Sequence, residues 1–325
     1  MRAALALILT LVACSGAPAA PLNVAVGPAV WPLRGTPAPD ANAIHRRPLV
    51  VKVANDPDAR PQTGIADADV VLEIPVEGGL TRFALVFQSK EPSKIGPVRS
   101  ARQSDLNYLS TLHAILAHVG ASESVTKMVR DAAASGGFVD VDEFQHADAF
   151  ERVTDRAAPY NAYTSASKLR QAAGAAGEQR VDVPALKYGD ATATSADGAT
   201  LTVPYSERVR YEFDASKGAY HRAVGAAKTT DAGAGEVLPD NIVVIKTDVN
   251  QIPGTADAAG APSVDYRATG TGAVVVLREG KRFEGMWTRQ GSDMYRFADA
   301  SGKEILLKPG LTWIHIVPAS FDLSG

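Results

Sequence analysis

The chain has 325 residues, of which 46% are hydrophobic and 21% are charged, and its formal net charge is −3. This length is enough for two domains, and the hydrophobic fraction is typical of a soluble protein with a buried core. The weak negative charge excludes a protein that binds nucleic acid through a general positive charge, so we expect no nucleic-acid partner.

The N-terminus, MRAALALILTLVACSG, predicts an export signal. Arg2 precedes an apolar run over residues 3–13, which is too short to span a bilayer as a mature helix. The run ends in LVAC, residues 11–14, which resembles the lipobox of bacterial lipoproteins. This resemblance implies a signal peptide at 1–13, cleavage before Cys14 and lipidation of its thiol. The alternative is an ordinary secretory signal, but Cys14 is the only cysteine, and a lone thiol in an exported protein risks pairing between molecules.

The next segment, residues 14–45, is rich in proline, alanine and glycine, which predicts an extended tether between lipid and body. After it, PLVVKVAND predicts a strand, and DVVLEIPVEGGLTRFALVFQ predicts a hairpin that turns at Glu77, Gly78 and Gly79. Helices are predicted at 100–111, 122–134 and 164–173, with the buried strand HAILAHVGA between the first two. Because strands and helices alternate, we expect a mixed α/β domain over residues 46–185.

The second half of the chain, residues 186–325, carries mainly strand patterns separated by turn residues. The predicted strands are TLTVPY, RVRYEFD, NIVVIKTDV, AVVVLREGKRFEGMW, DMYRFAD, KEILLKPG and TWIHIVP. The sequence therefore predicts an α+β fold, in which a mixed α/β domain is followed by a mostly β C-terminal domain.

The stretch IGPVRSARQSD, residues 95–105, combines a helix start with two arginines. Ser100 and Gln103 have the spacing of a capping box, which would begin a helix at Ser100. Arg99 and Arg102 would then lie in the first turn, where the helix dipole disfavours each cation by roughly 0.3–1 kcal/mol. An anion from outside the chain would explain this arrangement.

Arg82 lies on a strand whose two faces are both mostly apolar, so we expect it to be buried, and a buried guanidinium needs a partner. Glu73 and Glu77 are the candidate partners of Arg82, and Asp69 and Asp105 are the candidate partners of Arg99 or Arg102. In one interpretation these carboxylates and arginines form ion pairs that serve the fold. In the other, the three arginines and free N–H groups of the Ser100 helix bind a phosphate or carboxylate, with Glu73 and Glu77 nearby.

A second polar stretch, ERVTDRAAPYNAYTS over residues 151–165, could line the same cleft through Arg156, Asn161 and the neighbouring Arg152, Tyr160 and Tyr163. The alternative is a loop in which Asn161 caps its own turn and the tyrosines cover the core edge.

Other motifs of catalysis are missing from the sequence. The six histidines have no metal-ligand spacing, Ser122 lacks the G-x-S-x-G context of a nucleophile, and no phosphate-binding glycine motif follows a strand. We therefore expect no metal and no cofactor. His118 is interpreted as a neutral core or strand-end histidine, with a catalytic histidine as the alternative, and Trp287 and Trp313 as core or sheet-face residues.

Four stretches of the chain resemble the YerB-like lipoprotein family. They are ARPQTGIADADVVLEIPVEGGLTRF, IGPVRSAR, GTGAVVVLREGKRFEGMW and LKPGLTWIHIVP, and the resemblance extends from about residue 46 to 320. It implies a two-part extracytoplasmic domain and no established reaction. The chain departs from the family pattern after Arg102, where it has Gln103 and Ser104, and at residues 159–161, where Pro-Tyr-Asn replaces Pro-His-Asn and removes a potential acid or base.

Two classes of function stay open. The first is a lipoprotein of the bacterial cell envelope that binds an anionic ligand or a protein partner. The second is an envelope enzyme that acts on a phosphate-bearing cell-wall or lipid-linked substrate, for which the LytR-CpsA-Psr phosphotransferases offer a loose analogy without a matching motif. An enzyme needs a base or a metal beside the phosphate. A free Glu73 or Glu77 next to the arginines would favour the enzyme, whereas carboxylates held in ion pairs would favour the binding protein.

Overall fold

A computed structural model describes residues 28–253, 255 and 260–324, so the predicted signal peptide, Cys14 and residues 15–27 lie outside the described residues. Within these ranges the α-helices are α1 Leu106–Leu112, α2 Glu123–Ala134 and α3 Ala166–Glu178. Short 3₁₀ turns lie at Ala43–His45, Pro57–Ala59, Ile65–Asp67, Glu77–Gly79, Gln103–Asp105 and Ala147–Ala149. In this part of the chain no helix is long and apolar enough to cross a membrane.

The strands are β1 Leu49–Ala54, β2 Val70–Pro75, β3 Thr81–Phe87, β4 Ile115–His118, β5 Val139–Asp142, β6 Glu151–Arg152, β7 Ala162–Tyr163, β8 Ala196–Asp197, β9 Thr200–Val203, β10 Val209–Asp214, β11 Ala219–Val224, β12 Ala227–Lys228, β13 Thr230–Asp231, β14 Gly235–Glu236, β15 Asn241–Thr247, β16 Val249–Gln251, β17 Val264–Tyr266, β18 Gly270–Arg278, β19 Lys281–Arg289, β20 Arg296–Ala298 and β21 Thr312–Pro318. The fold is α+β, with the helices in the N-terminal half and a mostly β C-terminal half.

One large sheet contains strands from both halves of the chain, in the order β20-β19-β18-β15-β21-β2-β3-β1-β4-β5, with β8 paired to β19. The halves meet where β2 runs parallel to β21, with a register from Val70 opposite Thr312 to Glu73 opposite His315. A separate four-stranded sheet, β12-β11-β10-β9, packs on one face of the large sheet. Backbone hydrogen bonds of β2 and β21 thus join the two halves.

The carboxyl ends of β1, β2, β4, β5, β15 and β21 lie at one edge of the large sheet, which we call the carboxyl edge. Strand β3 runs antiparallel to β1 and β2, so its first residues, including Arg82, also lie there. Residues 98–101 extend between β1 and β4 at this edge. The N–H of Arg99 donates to the carbonyl of Lys52 at 2.9 Å, and the N–H of Val119 donates to the carbonyl of Arg99 at 3.1 Å.

The core covers both faces of the large sheet. Helix α3 and the small sheet pack on one face, and α1 and α2 pack on the other. A sheet that is covered on both faces requires apolar residues at consecutive positions, which is why β1 and β3 are buried along their whole length. Trp287 and Trp313 have no exposed surface, so their assignment to the core is confirmed.

The helix expected at Ser100 begins later. A 3₁₀ turn over Gln103–Asp105 precedes α1, and the carboxylate of Asp105 accepts the N–H of Arg102 at 2.7 Å. Asp105 therefore caps this helix start instead of the Ser100 and Gln103 pair, and that prediction is wrong. Since Arg99 and Ser100 lie in the extended segment before the turn, the helix dipole does not explain the position of the arginines.

Helices α2 and α3 begin close to the predicted positions, residues 122 and 164. Ser122 accepts the N–H of Val125 at the start of α2, and Ser165 accepts the N–H of Lys168 at the start of α3. Gly174 has a φ of +53° and interrupts α3, but helical turns resume as far as Glu178. In the second half, β11 was not predicted. The stretch KEILLKPG forms only isolated bridges, such as the one between Tyr188 and Leu307.

The described part of the predicted tether, residues 28–45, packs on the body. Trp31 and Leu33 are buried, and Leu33 joins the core face that also contains α1. The guanidinium of Arg34 donates to the carbonyl of Ala68 at 2.9 Å and lies 3.4 Å from Asp69. Two large apolar side chains in a proline-rich segment are enough to hold it against the core.

Candidate anion-binding site

Arg82 is the most deeply buried member of a group of arginines at the carboxyl edge. It is the second residue of β3, pairs with Ile74 of β2, and is only 6% exposed. One guanidinium nitrogen donates to the carbonyl of Ser100 over a long 3.4 Å, and Nε has no hydrogen-bond partner. Among the described residues Arg82 forms no ion pair, which is unusual for a buried guanidinium.

Arg99 and Arg102 approach Arg82, and the three residues are called the arginine cluster below. Burial lowers the pKa of Arg82 to about 9, and the positive charges of Arg102 and Arg99 act in the same direction. Asp56 and Glu77 raise this pKa but do not compensate. The fold thus places a positive charge where burial and like charges both oppose it.

Arg102 differs from Arg82 because it has a carboxylate partner. Its Nε donates to Glu77 at 2.7 Å, and Glu77 is itself buried in the turn between β2 and β3. A second pair lies close by, where the buried ammonium of Lys52 is 2.6 Å from Asp105. The predicted pairings of Glu77 with Arg82 and of Asp105 with Arg99 or Arg102 are therefore wrong.

Arg99 has no ion pair and no side-chain hydrogen bond among the described residues, and its Nε is buried without a partner. The guanidinium carbon lies 5.5 Å from the ring centre of Tyr160, within the range of a cation–π contact. Burial and the carboxylate of Asp56 raise the pKa of Tyr160. Asp56 is thus the carboxylate that faces this side of the cluster without forming an ion pair.

The charges around the arginine cluster do not cancel. The cations are Lys52, Arg82, Arg99 and Arg102, and the carboxylates are Asp56, Glu77 and Asp105. Four positive charges against three negative charges leave a surplus of one. Two guanidiniums, those of Arg82 and Arg99, remain without an ion pair.

Glu73 does not belong to this cluster, although its sequence position suggested that it would. The register places Ile74 opposite Arg82, so Glu73 and Arg82 lie on opposite faces of the sheet. Glu73 is fully buried between the large sheet and the small sheet, 2.8 Å from Arg222. It also accepts hydrogen bonds from Trp313 and Thr81, both at 2.9 Å. The proposed pairing of Glu73 with Arg82 is therefore wrong.

We call Glu73, Arg222, Trp313, His315 and Tyr211 the Glu73 cluster. The hydroxyl of Tyr211 is 2.7 Å from Nε2 of His315, and Nδ1 of His315 is 3.5 Å from Glu73. Burial alone would lower the pKa of Arg222, but Glu73 raises it above the usual value. Burial lowers the pKa of His315 to about 4, and Arg222 adds to this effect. This arrangement stabilises the charges of Glu73 and Arg222 and keeps His315 neutral.

The remaining predicted residues lie outside the arginine cluster. Arg156 donates to the carbonyls of Ala59 and Pro61, both at 2.7 Å, and so supports a neighbouring turn. Asn161 accepts a hydrogen bond from Arg152 at 3.0 Å. Of the stretch 151–165, only Tyr160 contacts the cluster, through Arg99.

Asp69 also forms its contacts outside the arginine cluster. Besides the contact with Arg34, its carboxylate accepts the N–H groups of Gln88 and Ser89, at 2.6 and 2.7 Å. The predicted pairing of Asp69 with Arg99 or Arg102 is therefore wrong. The N-terminal segment that supplies Arg34 was read as a tether and not as a source of partners.

His118 forms a buried pair at the end of β4. Its Nε2 lies 2.9 Å from Asp140, and its Nδ1 lies 2.9 Å from the carbonyl of Gly120. Burial alone would lower the pKa of His118, but Asp140, together with the carbonyl of Gly120 and the carboxylate of Asp142, outweighs burial and raises this pKa above its usual value. Within the described ranges, no group of three or more His, Cys, Asp or Glu side chains is arranged to bind a metal.

Comparisons with known proteins agree with this architecture. Residues 33–179 match the N-terminal domain, and residues 201–314 the C-terminal domain, of the family described as "Protein of unknown function (DUF3048)". The chain is 31% identical to "Putative lipoprotein YerB" of Bacillus subtilis (strain 168) over 282 residues, which are 84% of this chain and 82% of that protein. The crystal structure of the YerB protein from Bacillus subtilis superimposes with a TM-score of 0.78 at 27% identity, and the match covers 91% of this chain and all of that one. The chain therefore belongs to the YerB-like family of two-part proteins with DUF3048 N- and C-terminal domains.

Proposed function

We propose that this chain is a lipid-anchored, extracytoplasmic envelope protein that binds an anionic group through Arg82, Arg99 and Arg102. The observation that carries the proposal is the burial of Arg82 without an ion pair beside two further guanidiniums. A buried unsatisfied charged group costs about 1–3 kcal/mol or more. A phosphate or carboxylate from a ligand or a partner protein would offset this cost through bidentate, charge-assisted hydrogen bonds.

The anchor rests on separate observations. The lipobox-like LVAC at residues 11–14 and the name of the 31% identical relative, a lipoprotein, both support a lipid on Cys14. Residues 15–27 would then connect the membrane to the body, whose two parts we assign to residues 46–185 and 186–325. Incorporation of radiolabelled palmitate into the wild-type chain and its loss in Cys14→Ser would test the anchor, and equal labelling of both chains would contradict it.

Catalysis at the arginine cluster has less support. Glu77 is held by Arg102, and Glu73 is buried on the other face of the sheet with Arg222. Neither carboxylate is free to act as a base beside a bound phosphate. Because Glu73 and Glu77 are both held in ion pairs, a binding role is favoured over phosphate transfer, and Asp56 is the acidic group left near the cluster.

Titration calorimetry of the full chain with inorganic phosphate tests the binding site. Removing one charge-assisted partner costs about 1.5–3 kcal/mol, so Arg82→Met and Arg99→Gln should each weaken phosphate binding by about 10- to 100-fold. Arg170→Gln is the matched control, because Arg170 is a half-buried arginine of α3 that pairs with Glu91. Unchanged binding in both cluster variants, or no phosphate binding by the wild-type chain, would contradict the proposal.

A further inference from the structure

A groove of about 300 Å³ opens at the carboxyl edge beside the arginine cluster. The turn between β2 and β3 forms one wall. The other walls are formed by β16, β17, the end of β21 with the residues after it, and the loop after β9 at Tyr205 and Ser206. Four of its apolar side chains, those of Leu80, Val249, Val264 and Phe321, are only half-buried. A concave surface with several half-buried apolar side chains is typical of a site for an apolar group.

Leu80 connects this groove to Arg82 along β3. The two residues are separated by one position, so in an extended strand their side chains point to the same side and lie roughly 7 Å apart. Leu80 has extended backbone angles and leads directly into β3. An apolar contact at Leu80 and a charged contact at Arg82 are therefore within reach of one small molecule.

The turn Glu77–Gly79 provides a second connection. The carboxylate of Glu77 holds Arg102, while Gly78 and Gly79 line the groove. Both glycines have a φ above +70°, so the backbone turns sharply here and brings the two features together.

The opposite wall of the groove is tied to the segment that follows Arg102. The side chains of Gln103 and Asn107 donate to the carboxylate of Asp265, at 3.2 and 2.8 Å. Asp265 follows Val264, whose side chain lines the groove. The groove and the arginine cluster therefore share neighbouring elements on both sides.

We propose that the ligand is a phosphate-bearing amphiphile, with its phosphate at Arg82 and Arg99 and its hydrocarbon part in the groove. This inference rests on the proposed anion site and specifies its ligand. The three terminal oxygens of a phosphate monoester can accept hydrogen bonds from both guanidiniums that lack ion pairs, whereas the two oxygens of a single carboxylate match only one guanidinium fork. A group of the size of a water molecule occupies about 30 Å³, so the groove of about 300 Å³ has room for a hydrocarbon segment of roughly ten heavy atoms.

Calorimetric titration of the full chain with butyl phosphate and octyl phosphate, the latter below its micelle concentration, tests this inference. Full burial of one methylene strengthens binding about fourfold. The Kd of the wild-type chain should therefore fall more than tenfold from butyl to octyl phosphate. Val264→Trp fills the groove, and Val249→Asn makes it polar. In each variant the gain in affinity from butyl to octyl phosphate should be less than threefold, while butyl phosphate still binds.

Met286→Trp is the control, because Met286 is exposed on β19, far from the groove along the large sheet. This variant should keep the full gain in affinity from butyl to octyl phosphate. The apolar N-terminus is common to all variants, so it cannot produce a difference between them. Equal affinity of the wild-type chain for the two alkyl phosphates, or a gain that survives both groove variants, would overturn the inference and leave the anion site standing. Failure of inorganic phosphate and both alkyl phosphates to bind would overturn both.

Discussion

The arginine cluster and the Glu73 cluster place arginines in similar surroundings with opposite results. Arg82 is a residue of β3, and Arg222 is a residue of β11 that packs on β2 and β3. Both are buried, but they lie on opposite faces of the large sheet. The pKa of Arg222 is raised, because Glu73 lies 2.8 Å away, whereas the pKa of Arg82 is lowered by burial and by neighbouring arginines.

This difference shows that burial of an arginine does not by itself indicate its role. In the Glu73 cluster each charge has a partner within the chain, so the cluster joins the large sheet to the small sheet. In the arginine cluster the missing partner has to come from solvent or from a ligand. The four predictions below test this contrast, from the largest expected effect to the smallest.

The first prediction concerns Arg222→Met. This change leaves the carboxylate of Glu73 buried without its cation, and the free energy of unfolding should fall by about 3–5 kcal/mol. Urea denaturation followed by circular dichroism measures the loss. Adding Glu73→Gln to Arg222→Met should recover part of it, because the unpaired charge is removed. A double variant as unstable as the sum of the single ones would show that the two residues do not act as a pair.

The second prediction concerns pH. The pKa of His315 is about 4 in the folded chain and about 6.5 when unfolded, so between these values the unfolded chain binds more protons. Stability should fall as the pH drops from 6.5 to 4, and the loss due to His315 should be about 2–3 kcal/mol. Urea denaturation at several pH values should show a smaller loss in His315→Gln. Equal losses in both chains would mean that His315 titrates normally in the fold.

The third prediction has the opposite sign to the first. Arg82→Met removes a buried charge without an ion pair, so in phosphate-free buffer the free energy of unfolding should rise by about 1 kcal/mol. Met is chosen because its flexible side chain fills the space of the arginine stem. Phosphate should raise the melting temperature of the wild-type chain and not that of the variant. A clear loss of stability in phosphate-free buffer would assign Arg82 to the fold.

The fourth prediction concerns Arg99→Gln and should give the smallest change. Arg99 makes no side-chain hydrogen bond among the described residues, and its contact with Tyr160 contributes about 0.5–1 kcal/mol at most. The free energy of unfolding should therefore change by less than about 1 kcal/mol. A double-mutant cycle with Tyr160→Leu measures the contact itself, and a larger coupling energy would mean that the pair is structural.

The local pattern of the sequence predicted most strands and the start of two helices. Apolar runs and turn glycines predicted the hairpin of β2 and β3, Ser122 indicated the start of α2, and strand patterns indicated the burial of Trp287 and Trp313. The capping box predicted at Ser100 does not form, because Asp105, five residues later, accepts the N–H of Arg102 and the helix begins after it. A titratable residue in the middle of an apolar run, Glu73 in VVLEIP and His315 in TWIHIV, was the signal that could have indicated the Glu73 cluster.

The sequence by itself determined the alternation of strands and helices, the burial of Arg82 and the family, because these depend on residue order and local spacing. Only the tertiary structure decided which charges pair. Glu73 and Arg222 are 149 positions apart, and a shift of one residue in the register of β2 and β3 would have moved Glu73 to the face of Arg82. An ion pair forms only when its two charged side chains lie within a few ångströms of each other. For residues that are remote in sequence, the packing of the whole sheet sets that distance.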